Sequence, residues 1–157
     1  QQRPGKDGVP FTVRKFRTMV PNADKDGPAW TVEGDKRITR VGRFLRKTAI
    51  DELPGVFSIW SGHMSLVGPR ALPMDEQRYL EGKIAGFGER LKVRPGLTGL
   101  AQLYDMRDDA ETKLKYDLEY IGRMSIWLDL KILVISIANT IAIRWDRRSG
   151  KATQSGL

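Results

Sequence analysis

The residues of this chain best suited to chemistry are two adjacent carboxylates and the cations around them. Asp51-Glu52 closes a basic stretch that ends Arg46-Lys47-Thr48, and Leu53-Pro54 follows at once. Gly68-Pro69-Arg70 lies a short way downstream. On a strand, or in a helix interior, neighbouring side chains diverge, and Pro54 would disrupt a helical turn before it. The spacing therefore predicts a helix start, with Asp51 as N-cap and Pro54 in the first turn, whose N–H groups lack partners anyway. Such an end carries partial positive charge, which keeps Asp51 ionised and attracts a phosphate. Two uses fit the pair. It can be a stabilising cap plus a first-turn acid. It can also be a nucleophile beside a metal ligand: one carboxylate attacks phosphorus to give an acyl phosphate while the other holds Mg²⁺.

The cations bear on the same choice. Lys36, Arg37, Arg40, Arg43, Arg46 and Lys47 place six positive charges in twelve residues. Such a run is a solvated helix face or a contact with nucleic acid or an anionic membrane surface. Arg46 lies five residues before Asp51, near enough to share its site, and a guanidinium fork suits phosphate oxygens. Gly68-Pro69-Arg70 is either a plain turn or a rigid one that presents Arg70 to an anion. Lys15 and Arg17 flank Phe16 on a predicted strand, so both face one pocket or both are surface cations. Asp129, between Leu128 and Leu130, is a cap, a partner of Lys131, or a buried acid in a site. His63 reads as a turn residue, and Trp127 and Trp145 as core by default, with an interfacial membrane face as the alternative.

Composition narrows the classes. The 157 residues, 40% hydrophobic, suit one domain with a core. A formal charge of +8 and a sequence pI near 9.9 point to phosphate-bearing partners. The absence of cysteine excludes disulfides, thiolate nucleophiles and thiolate metal sites, and one histidine excludes multi-histidine zinc centres. The longest apolar stretch, Ile132 to Ile143, has twelve residues, too few to span a bilayer.

The elements that must position these groups follow from patterning. A strand is expected over Val9 to Val20 and a loop over Pro21 to Asp35. Lys36 to Thr48 reads as an amphipathic helix with Ile38, Val41 and Leu45 on one face. Further helices are expected over Leu53 to Trp60, Pro73 to Ile84, Asp109 to Arg123 and Ser125 to Trp145. Thr98 to Leu103 reads as a turn feeding a strand. The fold class is α+β, mostly helical with a few short strands, in a single compact domain over 1–145 with membrane-surface helices and a basic, loose tail over 146–157.

Several motifs in order make the chain similar to a known family, the bacterial sugar transferases, monotopic phosphoglycosyl transferases that begin glycan assembly on polyprenol phosphate. They are Arg3-Pro4-Gly5, Lys15-Phe16-Arg17-Thr18-Met19, the run Ile38 to Arg46, Asp51-Glu52-Leu53-Pro54, Met64 to Arg70, and Arg94 to Gln102. The resemblance implies a two-step, ping-pong transfer. Asp51 attacks the β-phosphate of a UDP-sugar with Mg²⁺ offsetting charge, UMP leaves, and polyprenol (undecaprenyl) phosphate takes the phosphosugar. It further implies Glu52 as the Mg²⁺ ligand and a substrate- and phosphate-binding set of Lys15, Arg46, Arg70, Arg94, Gln102 and Asp129, with Arg46 and Arg70 as clamps. The implied setting is the cytoplasmic face of the bacterial inner membrane, with no nucleic acid; homo-oligomer formation stays open.

The family carries an N-terminal helix that dips into the membrane. The opening Gln1-Gln2-Arg3-Pro4-Gly5 is expected to lie just downstream of it, and residues 1–157 alone are expected not to transfer to polyprenol phosphate. The chain departs from the family pattern at Gly55, Ser58, His63, Ala71 and Leu103 to Arg107, away from the acid pair. Two rivals are a nucleic-acid-binding domain and a non-catalytic membrane-surface module. Neither requires Asp51-Glu52, and the only aromatic inside the basic stretch is Phe44.

Overall fold

A computed structural model describes residues 1–23, 35–48, 50–105 and 109–142. It opens with a hairpin in which β1 (Gln2–Pro4) pairs antiparallel with β2 (Pro10–Thr12), Arg3 opposite Phe11. Asp7 and Gly8 adopt left-handed conformations in the connection, the backbone a tight hairpin turn requires. The strand expected over Val9 to Val20 is thus cut to three residues, because a strand extends only as far as a partner satisfies its N–H and C=O groups. Beyond Thr12 the chain meets a single bridge, Met19 with Ile38.

That bridge also shortens the basic helix. Val20 N–H donates to the Arg37 carbonyl and Thr39 N–H to the Thr18 carbonyl, so residues 37–39 are spent on pairing. Helix α1 (Arg40–Lys47) starts only where Thr39 Oγ1 caps Gly42 N–H at 2.9 Å. A Cβ on Gly42 would run into the Thr18 carbonyl, so the helix rests directly on residue 18. Val41 and Phe44 point outward, 68% and 56% exposed; the expected core stripe through Ile38, Val41 and Leu45 does not form.

A 3₁₀ turn, Ile50–Gly55, then runs into α2 (Val56–Trp60). Strand β3 (Ser65–Val67) pairs in parallel with β4 (Gly96–Thr98), Ser65 opposite Gly96. Between them lie α3 (Met74–Lys83) and a 3₁₀ turn, Phe87–Lys92. After β4 the chain enters α4 (Leu100–Tyr104); the expected order of turn then strand is reversed. Leu100 and Leu103, three apart, both pack onto the cluster of Val67, Tyr120 and Ile132, a spacing that shares a face on a helix and splits across a strand. Helices α5 (Ala110–Arg123) and α6 (Ile126–Ile141) begin at Asp109 and Ser125, each accepting an N–H three residues on. Most of the expected loop over Pro21 to Asp35, Trp145 and the tail lie outside the described residues.

The architecture is α+β, mostly helical with short strands. Its core has three parts, and one short segment enters all of them. Val67 packs with Tyr120 and Ile132, Ala71 with Phe11, Val13 and Met64, and Leu72 with Phe87 and Leu114. Arg70 sits inside this stretch. Trp127, expected in the core, is 82% exposed. Helix α6 turns Ile132 and Ser136 inward and sends Trp127, Leu130, Val134, Ile137 and Ile141 out. Among the described residues, no helix is long and apolar enough to cross a membrane.

Candidate active site

The site begins with a missing hydrogen. In a 3₁₀ turn the carbonyl of residue 51 would accept from residue 54, but Pro54 has no N–H to offer. Phe16 N–H takes that carbonyl instead, at 3.0 Å. The acid pair is thereby tied to the segment after β2, and Lys15 is delivered beside it. Asp51 is accordingly not an N-cap: it is the second residue of the 3₁₀ turn, and Gly55 caps α2. Pro54, expected in the first turn, is instead the fifth residue of the 3₁₀ helix, one residue before the cap of α2; Asp51 and Glu52 occupy the first turn.

Glu52 organises the cations. Its Oε1 accepts from Lys15 Nζ at 2.7 Å and from Arg70 Nη2 at 2.8 Å. Burial alone would push the Glu52 carboxyl up, but the charges and hydrogen bonds of Arg70 and Lys15 prevail and bring it to about 2. Asp51 behaves oppositely. Burial and then the Glu52 charge raise its carboxyl above the ordinary aspartate range, against the pull of Lys15, Arg46 and Arg70. Two neighbouring carboxylates thus divide into one held ionised by its partners and one kept more basic. Arg46 reaches the same corner from α1, its Nε donating to Thr18 Oγ1 at 2.8 Å.

A cleft opens over this arrangement. Arg3, Lys15, Glu52 and Arg70 supply its polar wall, with Val13, Met64, Ala71 and Leu97 beside them. Arg3 comes from β1, half-pinned by Nη1 donating to the Ala71 carbonyl and Nη2 to Gln1 Oε1. The structure therefore gathers Lys15, Asp51, Glu52 and Arg70, with Arg46 close by. It does not bring the remaining three expected residues to Glu52. Arg94 is exposed ahead of β4. Gln102 is buried in α4, its Nε2 facing the Leu97 carbonyl at 3.5 Å. Asp129 accepts from Tyr120 Oη at 2.8 Å, not from Lys131, and Tyr120 also reaches the Val67 carbonyl. Arg17 is exposed and does not line the cleft that Lys15 enters. Neither the contacts of Arg3 nor that of Thr18 follow from local spacing; for Arg3 the Arg-Pro-Gly motif is the available signal.

Among the described residues, no three histidine or acidic side chains converge. The Asp51-Glu52 pair still suits a magnesium ion, which binds through one or two carboxylates and takes its other ligands from water and substrate phosphates. Four cations around two carboxylates make a surface able to hold a doubly charged phosphate group.

The Glu52 contacts carry a pH signature. Its folded pKa lies below the ordinary value of 4.5, so its contribution to stability is full above pH 4.5 and is lost as pH falls toward 2. Glu52→Gln is expected to lose less stability than the parent across that window, measured by urea unfolding at stepped pH. Equal slopes would mean that Glu52 is not held by Lys15 and Arg70 in solution.

The sequence has relatives among known proteins. A family model described as bacterial sugar transferase matches residues 1–142. A UDP-glucose:undecaprenyl-phosphate glucose-1-phosphate transferase from Klebsiella pneumoniae is 42% identical over 143 residues, covering 87% of this chain and 31% of that protein. One of the same name from Caulobacter vibrioides is 41% identical, covering 90% and 55%. A UDP-N-acetylgalactosamine-undecaprenyl-phosphate N-acetylgalactosaminephosphotransferase from Aeromonas hydrophila is 38% identical, covering 87% and 33%. The chain thus spans about a third to a half of the length of these relatives.

Proposed function

The chain belongs to the bacterial sugar transferase family, and from that premise we propose that it moves a sugar 1-phosphate from a UDP-sugar to polyprenol phosphate through a phosphosugar–Asp51 intermediate. The observation that carries the reading is the division of labour in the acid pair: the cations bond Glu52 and leave the Asp51 carboxylate to attack. Relatives named for UDP-glucose and for UDP-N-acetylgalactosamine both support the donor class and leave the sugar open.

In the first step an Asp51 oxygen bonds to the β-phosphorus of the donor, the bond from that phosphorus to the bridging oxygen breaks, and UMP departs with the electron pair. Arg70 and Lys15 meet the charge that gathers on the phosphoryl oxygens, and Arg46 lies on the Asp51 side. Glu52 would hold Mg²⁺, which when bound offsets the charge of the diphosphate. In the second step a phosphate oxygen of the acceptor attacks the same phosphorus, Asp51 is released, and polyprenol diphosphate sugar forms. The raised basicity of Asp51 suits it as a nucleophile.

The acceptor is a lipid, so the site must meet a membrane surface, here the cytoplasmic face. Exposed Val41, Phe44, Leu53, Val56, Phe57 and Trp60 surround the acid pair in sequence on α1, the 3₁₀ turn and α2. Arg40, Arg43 and Lys47 interleave with them and suit anionic headgroups.

The test is the intact mass of the protein in lipid nanodiscs after exposure to Mg²⁺ and a panel of UDP-sugars without acceptor. A sugar-phosphate adduct on the parent, absent from Asp51→Asn, is the expected result and names the sugar. No adduct, together with no UMP release when polyprenol phosphate is added, would overturn the reading.

A further inference from the structure

Arg90 is among the most deeply buried residues, 1% exposed, and nothing in the chemistry above uses it. Its guanidinium holds three separate parts of the chain. Nε donates to Asp117 Oδ2 on α5 at 2.8 Å, and Nη2 reaches the same oxygen at 2.6 Å. Nη1 donates to Gln77 Oε1 on α3 at 3.0 Å. Nη2 also donates to the backbone carbonyl of Arg70 at 2.8 Å. Asp117 and Gln77 are themselves 1% and 2% exposed, so this is an enclosed polar network.

The third bond connects the network to the site. The carbonyls of Pro69, Arg70 and Ala71 accept, in turn, from Gly96 N–H on β4, from Arg90, and from Arg3 on β1. Three consecutive peptide units are therefore held from three directions. The middle one belongs to the residue whose side chain grips Glu52. A long, half-exposed arginine side chain has many rotamers, and its reach is set by where its backbone stands. An ion pair buried without a binding role is replaceable by apolar residues at little cost in stability, whereas a planar fork with several donors can fix three acceptors at once.

We propose that Arg90 is a positioning residue: by holding the Arg70 carbonyl against α3 and α5, it keeps the Arg70 guanidinium on Glu52 and so keeps the cation pair assembled beside Asp51. This rests on the reading of Arg70 and Glu52 as parts of the reaction site, but its test does not.

The test replaces the buried pair by apolar residues, Arg90→Met with Asp117→Leu, so that no lone charge is left inside. Folding is checked by circular dichroism and thermal melting. The readout is the titration of the Glu52 carboxylate in Mg²⁺-free buffer with a chelator, followed by ¹³C NMR on the intact protein in nanodiscs. In the parent Glu52 should titrate well below the usual glutamate range. In the doubly substituted protein the titration is expected to move upward by about one pH unit, as weaker contact with Arg70 requires, and the same swap added to Arg70→Ala should move it no further. A folded variant with an unshifted Glu52 titration, or shifts that simply add to those of Arg70→Ala, would overturn the proposal. Should the double variant not fold, Arg90→Lys is read in the same way: it keeps the charge opposite Asp117 but has no fork to span all three acceptors. Phosphotransfer is measured in parallel. A shifted Glu52 with undiminished adduct formation leaves the positioning role standing and removes Arg70 from the chemistry.

Discussion

Asp51→Asn is expected to lower formation of the phosphosugar adduct by roughly a thousandfold or more, the scale seen when a covalent nucleophile is removed. The amide has nearly the volume of the carboxylate, and the contact that anchors residue 51 is its backbone carbonyl to Phe16 N–H, which the substitution retains. Stability should not fall with activity. Because burial and Glu52 raise the folded pKa of Asp51, its ionised form costs stability above that pKa, and the cost disappears as pH falls through it. At pH 7 the Asn variant should therefore be at least as resistant to urea as the parent, and any gain should vanish in acid. A site that weakens the fold at one position for the sake of reactivity is a common trade. The parent's rate should also fall in acid with a midpoint above the ordinary aspartate range. An active, Mg²⁺-dependent Asp51→Asn protein would show that Asp51 is not the nucleophile and would remove the covalent intermediate from the mechanism.

The second large effect is on the scaffold. Gly96→Ala is expected to cost more than about 3 kcal/mol of stability, read from urea unfolding, and to remove most activity in whatever protein remains folded. A Cβ at this position would lie closer than 3 Å to Gly68 N, the Thr98 carbonyl oxygen and the Val67 carbonyl carbon. All three are backbone atoms, so no rotamer change can make room. The chain would have to separate β3 from β4, and the Gly68-Pro69-Arg70 turn would move with β3. Gly82→Ala serves as the control: nothing lies within 4 Å of that position near the end of α3. There, alanine should be neutral or stabilising by up to about 1 kcal/mol. Equal losses at both positions would mean that the tight approach of the two strands is not what Gly96 provides.

What the sequence determined by itself was local chemistry. Asp51-Glu52 announced a first turn, Gly68-Pro69-Arg70 announced a presented cation, and Asp109 and Ser125 stand where their helices start. These outcomes depend on neighbours within a few residues, and so do caps, turns and proline effects. The resemblance carried by the motifs named the family, which composition and spacing alone did not reach.

Only the tertiary structure decided the rest. Whether Asp51 caps a helix depended on Phe16, thirty-five residues upstream, claiming the carbonyl that Pro54 leaves free. Where α1 begins depended on Thr18 and Val20 pairing with residues 37–39, an outcome the helical periodicity of Lys36 to Thr48 cannot register. Whether Thr98 to Leu103 is strand or helix was settled by packing against Val67 and Tyr120. Arg90 left no local trace at all. Its partners lie 13, 20 and 27 residues away on separate elements, and an arginine in a charged stretch looks like a surface residue until the chain closes over it. Side-chain type and short spacing specify which groups can react. Which of them meet is set by long-range pairing and burial, because each depends on what the rest of the chain leaves unsatisfied.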